Sequence, residues 1–251
     1  MTAALYLLDP GGLVDAEVGA EILLDGSEGH HAATVARLPV GADLLLADNS
    51  GQVARCRVNS VSKGALLATV QDMTYQEAAE PRFTLIQALA KADRDLLAIE
   101  VATELGVDRV IPWQADRSVV RWRGARQTKA QRKWQNTLGA ATKQARRPRV
   151  PTLETAADQA ALLEHVQRAA LSIVLHESAA TPLASLGVTD LPIRGEVLLV
   201  VGPEGGISAT ELAALVQAGA RSMRLGETVL RTSTAGSAAI ALLSALGRWR
   251  A

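Results

Sequence analysis

A chain of 251 residues, 48% of them apolar, has material for two domains of unequal size and a substantial core. Its single cysteine, Cys56, excludes an intramolecular disulfide and a cysteine-based zinc site, and no metal is expected. No apolar run approaches the roughly 20 residues that cross a membrane, and the first residues lack a basic-then-apolar leader, so a cytoplasmic protein is expected. Basic and acidic residues balance at 26 each, but unevenly. Eleven Lys/Arg fall between Arg117 and Arg149 with no Asp or Glu among them, leaving 15 basic residues elsewhere against all 26 acidic ones. A basic block on an acidic body marks a polyanion site more clearly than a high overall charge would.

In chain order, the first 75 residues read as short strands: Leu5–Leu8, Asp43–Ala47, Val53–Val58 and Ala65–Val70. Turn signals separate them, among them Asp48-Asn49-Ser50-Gly51 and Ser62-Lys63-Gly64, and His30–Leu38 is helix-like. This predicts a small β-barrel over residues 1–75. The polar, aperiodic segment Gln76–Arg82 is expected to be a linker. From residue 83 to residue 251 the pattern alternates. Phe83–Leu89, Val107–Trp113, Leu171–Leu175, Glu196–Val201 and Ser222–Leu225 read as strands. Asp93–Leu105, Ala130–Gln144, Ala156–Ala169, Ala209–Ala218 and the Ala-rich Ser233–Leu246 read as helices, the first with Leu97, Val101 and Leu105 on its apolar face. Strands alternating with helices predict an α/β fold with a mostly parallel sheet.

Two segments have the composition of a ligand site. The apolar run ending at Val201 is that of a strand buried on both faces, and it leads into Gly202-Pro203-Glu204-Gly205-Gly206. Ser208 and Glu211 then form a capping-box pattern. A Gly-rich turn after a buried parallel strand is where open α/β sheets bind ligands; by spacing alone it is equally a tight turn without one. It is neither a P-loop nor a dinucleotide fingerprint. The second segment, Leu225–Ala235, runs from a short strand into a helix whose start is rich in hydroxyls, with Arg231 as a permanent cation there or as an ordinary solvated side chain.

The order and spacing of these segments resemble the knotted (SPOUT) methyltransferases, and within them the small-subunit ribosomal RNA uridine-N3 methyltransferases. Leu199–Gly206 and Leu225–Thr232 bear most of the resemblance. Gln87–Lys91, Glu104–Val107, Arg117-Ser118, Ala141–Arg147, Pro151 and Leu175–Glu177 agree with it, and His31–Arg37 with Gly41–Asp43 resembles the family's PUA-like RNA-binding domain. The resemblance implies a C-terminal trefoil knot, an exception to the unknotted-chain rule. It implies S-adenosyl-L-methionine as cofactor, a homodimer, and small-subunit ribosomal RNA or the assembled subunit as partner. The donor pocket it implies comprises Leu175, His176, Glu177, Val201, Gly202, Pro203, Glu204, Gly205, Gly206, Leu225, Gly226, Leu230, Thr234 and Ala235. Arg231 is implied as the catalytic residue.

For RNA contacts the basic block gives Arg117, Arg121, Arg146 and Arg147; Arg37 in the small domain is a phosphate contact or a surface ion pair, and Lys91, near the carboxyl end of a strand, an RNA or substrate contact. Trp122 and Trp134 lie within the block, as core residues or as base-stacking platforms. The chain departs from the resemblance at Ser233, where relatives commonly have Glu, and this leaves the proton acceptor unassigned. Two other functions fit the same sequence: a knotted methyltransferase of another RNA position, such as a ribose 2′-hydroxyl, and a non-catalytic RNA-binding assembly protein.

Overall fold

The computed structural model describes residues 3–250. They form two compact units, one of residues 3–78 with Thr142–Val150, the other of Ala79–Ala141 with residues 151–250.

In the first unit β1 (Ala4–Leu7), β2 (Glu21–Leu24), β3 (Asp43–Ala47), β4 (Gln52–Ser62) and β5 (Ala65–Tyr75) form one sheet in the order β1-β3-β4-β5-β2. Only the β1–β3 pair is parallel. Among the described residues no ladder joins β2 to β1, so the expected barrel is an open sheet. The β4–β5 register shifts at Arg55/Cys56 and Val58/Ser60, and such bulges bend a strand. Period-two alternation buries Ala54, Cys56 and Val58 of β4 against Leu66, Ala68 and Val70 of β5, with Tyr6, Leu13, Leu24, Leu44 and Leu46 completing the core. The short helix α1 (Gly26–His30) continues as a π-turn through Val35. It begins at Gly26, before the expected His30, and Gly29 within it packs where no side chain fits: a Cβ would meet the Leu24 carbonyl oxygen at 2.4 Å. The segment 142–150, expected within the later α/β region, belongs to this unit. Lys143 pairs with Glu28 at 2.6 Å, Arg149 donates to the carbonyls of Ser50 and Gln76, and Val150 N–H donates to Asn49.

The second unit contains β6 (Arg82–Ala88), α2 (Arg94–Glu104), β7 (Arg109–Trp113), α3 (Ala125–Gln144), β8 (Thr152–Leu153), α4 (Gln159–Arg168), β9 (Leu171–Leu175), β10 (Thr181–Pro182), β11 (Glu196–Val201), α5 (Ala209–Gln217), β12 (Arg221–Arg224) and α6 (Thr232–Leu246); the last three residues of α3 cluster with the first unit. Its seven strands are parallel throughout, in the order β10-β12-β9-β11-β6-β7-β8. The central strand β11 is bonded to β6 and β9, and Val197–Val201 are buried. Each such aliphatic side chain contributes about 2 kcal/mol by leaving water.

Helix α2 corrects one expectation. Its buried face is Asp95, Ala98, Ile99, Ala102 and Thr103, whereas Leu97 is 46% exposed. The partner is α6, which buries Gly236, Ser237, Ala239 and Ile240, and two helices rich in small side chains approach closely through them rather than through leucines. Strands β8 and β10 were not legible at two residues each, and β2 buries only one side chain, Leu24.

Candidate active site

Because every strand of the second sheet is parallel, the carboxyl ends of β6, β9, β11 and β12 lie on one side. Three segments converge there on a cavity of about 490 Å³: Leu175–Glu177 after β9, Val201–Ile207 after β11, and Val229–Thr232 with Ala235 at the start of α6. Arg94 and Arg117 also line it.

Glycine is required in the central turn. A Cβ on Gly202 would meet Ile207 Cγ1 at 2.6 Å, and Gly206 has φ +73°. The turn ends in the expected capping box: Ser208 Oγ accepts from Glu211 N–H at 3.2 Å and Glu211 accepts from Ser208 N–H at 2.9 Å. The other oxygen of Glu211 accepts from Asp116 N–H at 2.7 Å, tying the loop after β7 to the same helix start. Glu204 accepts Lys91 N–H at 3.2 Å and Arg94 Nη1 at 3.1 Å, and Arg117 donates to the Gly205 carbonyl at 3.1 Å.

A buried relay joins three elements behind the cavity. Gln87, fully buried at the end of β6, donates from Nε2 to Thr232 Oγ1 at 2.8 Å. Thr232 donates in turn to the Gly202 carbonyl at 2.7 Å. The first turn of α6 is thereby fixed to the Gly-rich turn, and with it the preceding residue, Arg231. That residue is exposed, and its guanidinium has no hydrogen bond or ion pair among the described residues. His176 Nδ1 accepts from Ser178 N–H at 3.3 Å, and Arg224 holds the same turn through the carbonyls of Ala179 and Ala180.

Of the residues expected in the donor pocket, Leu175, His176, Glu177, Val201 to Gly206, Leu230 and Ala235 line the cavity. Leu225, Gly226 and Thr234 lie outside its lining. Arg94, Ile207, Val229 and Thr232 line it without having been singled out from sequence. Thr232 stood in the hydroxyl-rich helix start, but nothing local to Arg94 distinguishes it from a surface arginine. Ser233 is 4% exposed and outside the lining, so the departure from Glu falls in the packing of α6 and not on the cavity wall.

The expected RNA contacts divide between the units. Lys91, Arg117 and Arg121 are exposed on the second, Arg121 donating to the Asp116 carbonyl. On the first, Arg37 and Arg146 are exposed in left-handed backbone (φ +52° and +53°), and Arg147 is half-buried and partnered. On α3 and just before it, Arg123, Arg126, Lys129 and Arg132 are exposed and without partners among the described residues, whereas Lys133 pairs with Asp93 at 2.8 Å. Trp122 and Trp134 are buried edge-to-face against each other at 5.3 Å, a core pair and not a stacking platform. Among the described residues no group of three metal-ligating side chains occurs, and no helix is long and apolar enough to cross a membrane.

Comparison with known proteins agrees with this geometry. A family described as an RNA methyltransferase domain matches residues 77–244, and one described as an RNA methyltransferase PUA domain matches residues 24–71. A Mycobacterium tuberculosis protein named ribosomal RNA small subunit methyltransferase E is 42% identical, over 100% of this chain and 95% of its own length. A Bacillus subtilis protein of the same name is 30% identical over 88% of each. The crystal structure of the Neisseria gonorrhoeae protein of that name, bound to S-adenosyl methionine, shares the fold with a TM-score of 0.84 over 98% of both chains at 24% identity. The chain belongs to the RNA methyltransferase family, alongside the ribosomal RNA small subunit methyltransferase E proteins.

Proposed function

We propose that the protein transfers the methyl group of S-adenosylmethionine to N3 of one uridine in small-subunit ribosomal RNA, free or in the assembled subunit. One observation carries this reading: three loops at the carboxyl end of a parallel sheet converge on a single cavity, and one of them presents an arginine with no partner among the described residues. The cavity falls in the usual size range of small-molecule sites, and Gly202 leaves room where a side chain would collide. Leu175, His176, Glu177 and Val201–Gly206, with Leu230 and Ala235, would hold the donor, and Leu225, Gly226 and Thr234, on the same segment as Leu230, complete the proposed set. The bound donor supplies a sulfonium methyl as electrophile.

The chain's own work is to position the base and tolerate charge. N3 becomes nucleophilic as its proton leaves, and negative charge then spreads over the uracil carbonyl oxygens. Arg231 adjoins a backbone held by the Thr232 relay, its guanidinium can meet that charge without having to be freed from another partner, and being permanently protonated it is not the base. Glu177 is the lining carboxylate without a partner among the described residues, which makes it the group able to take the proton. The N3 edge is reachable only in an unpaired or flipped nucleotide.

The organisation that accompanies this function is a PUA-like RNA-binding domain over residues 1–75, joined by the returning segment 142–150, a linker at 76–82 whose last residue opens β6, and a methyltransferase domain over the rest of 83–251. RNA contacts are assigned to Arg37, Lys91, Arg117, Arg121, Arg146 and Arg147. A trefoil knot is supported by the path of the chain. Strand β12 lies beyond β9, yet the next helix starts against Gly202 and packs on β6 and β11, so residues 225–231 must cross back over the sheet's carboxyl end. A homodimer is supported by Val229, 76% exposed at the cavity, which a second copy would cover. Sedimentation tests the dimer. Transfer of labelled methyl to unmodified small subunits, followed by nucleoside analysis, tests the activity.

A further inference from the structure

The proposed donor site leaves an excess of positive charge unexplained. Arg94, at the start of α2, and Arg117, in the loop after β7, donate to neighbouring residues of one turn: Arg94 to the Glu204 carboxylate and Arg117 to the Gly205 carbonyl, both at 3.1 Å. Each guanidinium has five N–H donors in a planar fork, and a single hydrogen bond to the turn leaves most of them unspent. With Arg231 they make three guanidiniums around a cavity whose lining carboxylates are Glu177 and Glu204. Glu204 is already offset by Arg94. S-adenosylmethionine adds no compensating anion, because its carboxylate and ammonium cancel and the sulfonium remains. Converging like charges cost free energy unless an anion joins them.

The backbone before Arg94 shows that its placement is imposed. Ala92 and Asp93 both adopt left-handed backbone, φ +54° and +59°, which non-glycine residues keep only where their surroundings hold them. Glu204 does the holding from one side, accepting Lys91 N–H at 3.2 Å, and Lys133 pairs with Asp93 from the other.

We propose that Arg94 and Arg117 form a phosphodiester subsite that grips the RNA backbone next to the target nucleotide, with Glu204 holding the Arg94 fork at the cavity mouth until the phosphate arrives. Guanidinium pairs with phosphate through two parallel N–H···O bonds, which fixes direction as well as distance. The inference rests on the RNA methyltransferase reading and adds Arg94 and the shared phosphate to its substrate side.

The test measures binding, so it reads out whether or not methyl is transferred. Affinity of the full-length protein for an unmodified small-subunit rRNA transcript is measured by fluorescence anisotropy across a salt series, and donor affinity by calorimetry. Arg94→Ala weakens RNA binding about 10-fold or more, lowers the salt slope by about 0.7 and leaves donor affinity within about twofold. Arg94→Lys, which keeps the charge and the Glu204 ion pair but not the fork, still weakens RNA binding several-fold. The Arg94→Ala/Arg117→Ala pair loses less than the product of the single effects, because both grip one phosphate. Unchanged RNA affinity in Arg94→Ala overturns the subsite. So does a loss of donor affinity equal to the loss of RNA affinity, which would assign Arg94 to the donor's carboxylate. Failure of the wild type to transfer methyl, with RNA binding and its Arg94 dependence intact, would instead overturn the proposed function.

Discussion

The two ends of the parallel sheet use the same residue type in opposite ways. At the amino ends of β6, β7 and β11, Arg109 bonds Thr84 and Glu196 and lies near Glu154. Arg248, after α6, donates to the carbonyls of Pro81 and Gly106, pairs with Asp108, and stacks over Phe83 at 4.0 Å. Its side chain is only 9% exposed. These arginines are consumed by the fold. At the carboxyl ends, Arg94 and Arg117 are anchored by one bond each, and Arg231 has no partner among the described residues. An arginine whose donors are spent holds elements together, whereas one whose donors are spare awaits a ligand.

The contrast is sharpest at Arg231 and Arg248. Arg231→Ala should lower the single-turnover methylation rate about 10²- to 10³-fold, the usual effect of removing one preorganised donor from a developing negative charge. Donor affinity by calorimetry and melting temperature should barely move. A variant that retains near-wild-type turnover would remove Arg231 from the chemistry. Arg248→Ala should do the reverse. It removes the guanidinium from Asp108, which keeps the Phe83 N–H, and from two carbonyls, and should cost about 3 kcal/mol in denaturant unfolding, with donor affinity little altered in the protein that remains folded.

Thr232 tests how far the carboxyl end depends on its buried relay. Thr232→Val keeps the shape but takes the hydroxyl partner from the Gly202 carbonyl and from Gln87, whose Nε2 keeps only the Ala88 carbonyl at 3.2 Å, a loss of about 1–3 kcal/mol. Donor affinity should fall about 10-fold, and Thr232→Ser should restore it; if both variants bind donor equally, the relay does not set the turn.

Cys56 gives the smallest effect and a probe of the first unit. Burial pushes its thiol up to about 11. At pH 8 it is a protonated thiol within the sheet core, so it should react with a disulfide reagent only as that unit opens. Because the folded pKa is raised, its contribution to stability is constant below the ordinary thiol range and is lost as pH rises toward 11. Rapid labelling of the native protein at pH 8 would contradict the burial.

Much of the second unit was legible because its signals are local. Val197–Val201 is a long apolar run, Gly202–Gly206 a dense turn, and Ser208 with Glu211 a capping box that formed as expected. What sequence could not give depends on partners distant in the chain. The face of α2 is set by α6, Arg94 gains meaning only from Glu204, and Gln87 reads as a polar interruption of a strand until Thr232 is found against it. The basic block misled in one respect. Lys143 and Arg149 look like polyanion contacts, yet one is paired with Glu28 and the other bound to carbonyls. The first unit was less legible because β4 and β5 run on past their apolar stretches into exposed polar residues.

The central claim is the chemistry at N3. The direct measurement incubates the protein with small subunits lacking the modification and with labelled S-adenosylmethionine, digests the RNA, and identifies the methylated nucleoside by mass spectrometry. The product should be 3-methyluridine, at one position, its formation slowed about 10²- to 10³-fold by Arg231→Ala. Label in a ribose-methylated nucleoside, or no label from protein that binds the donor, would contradict it.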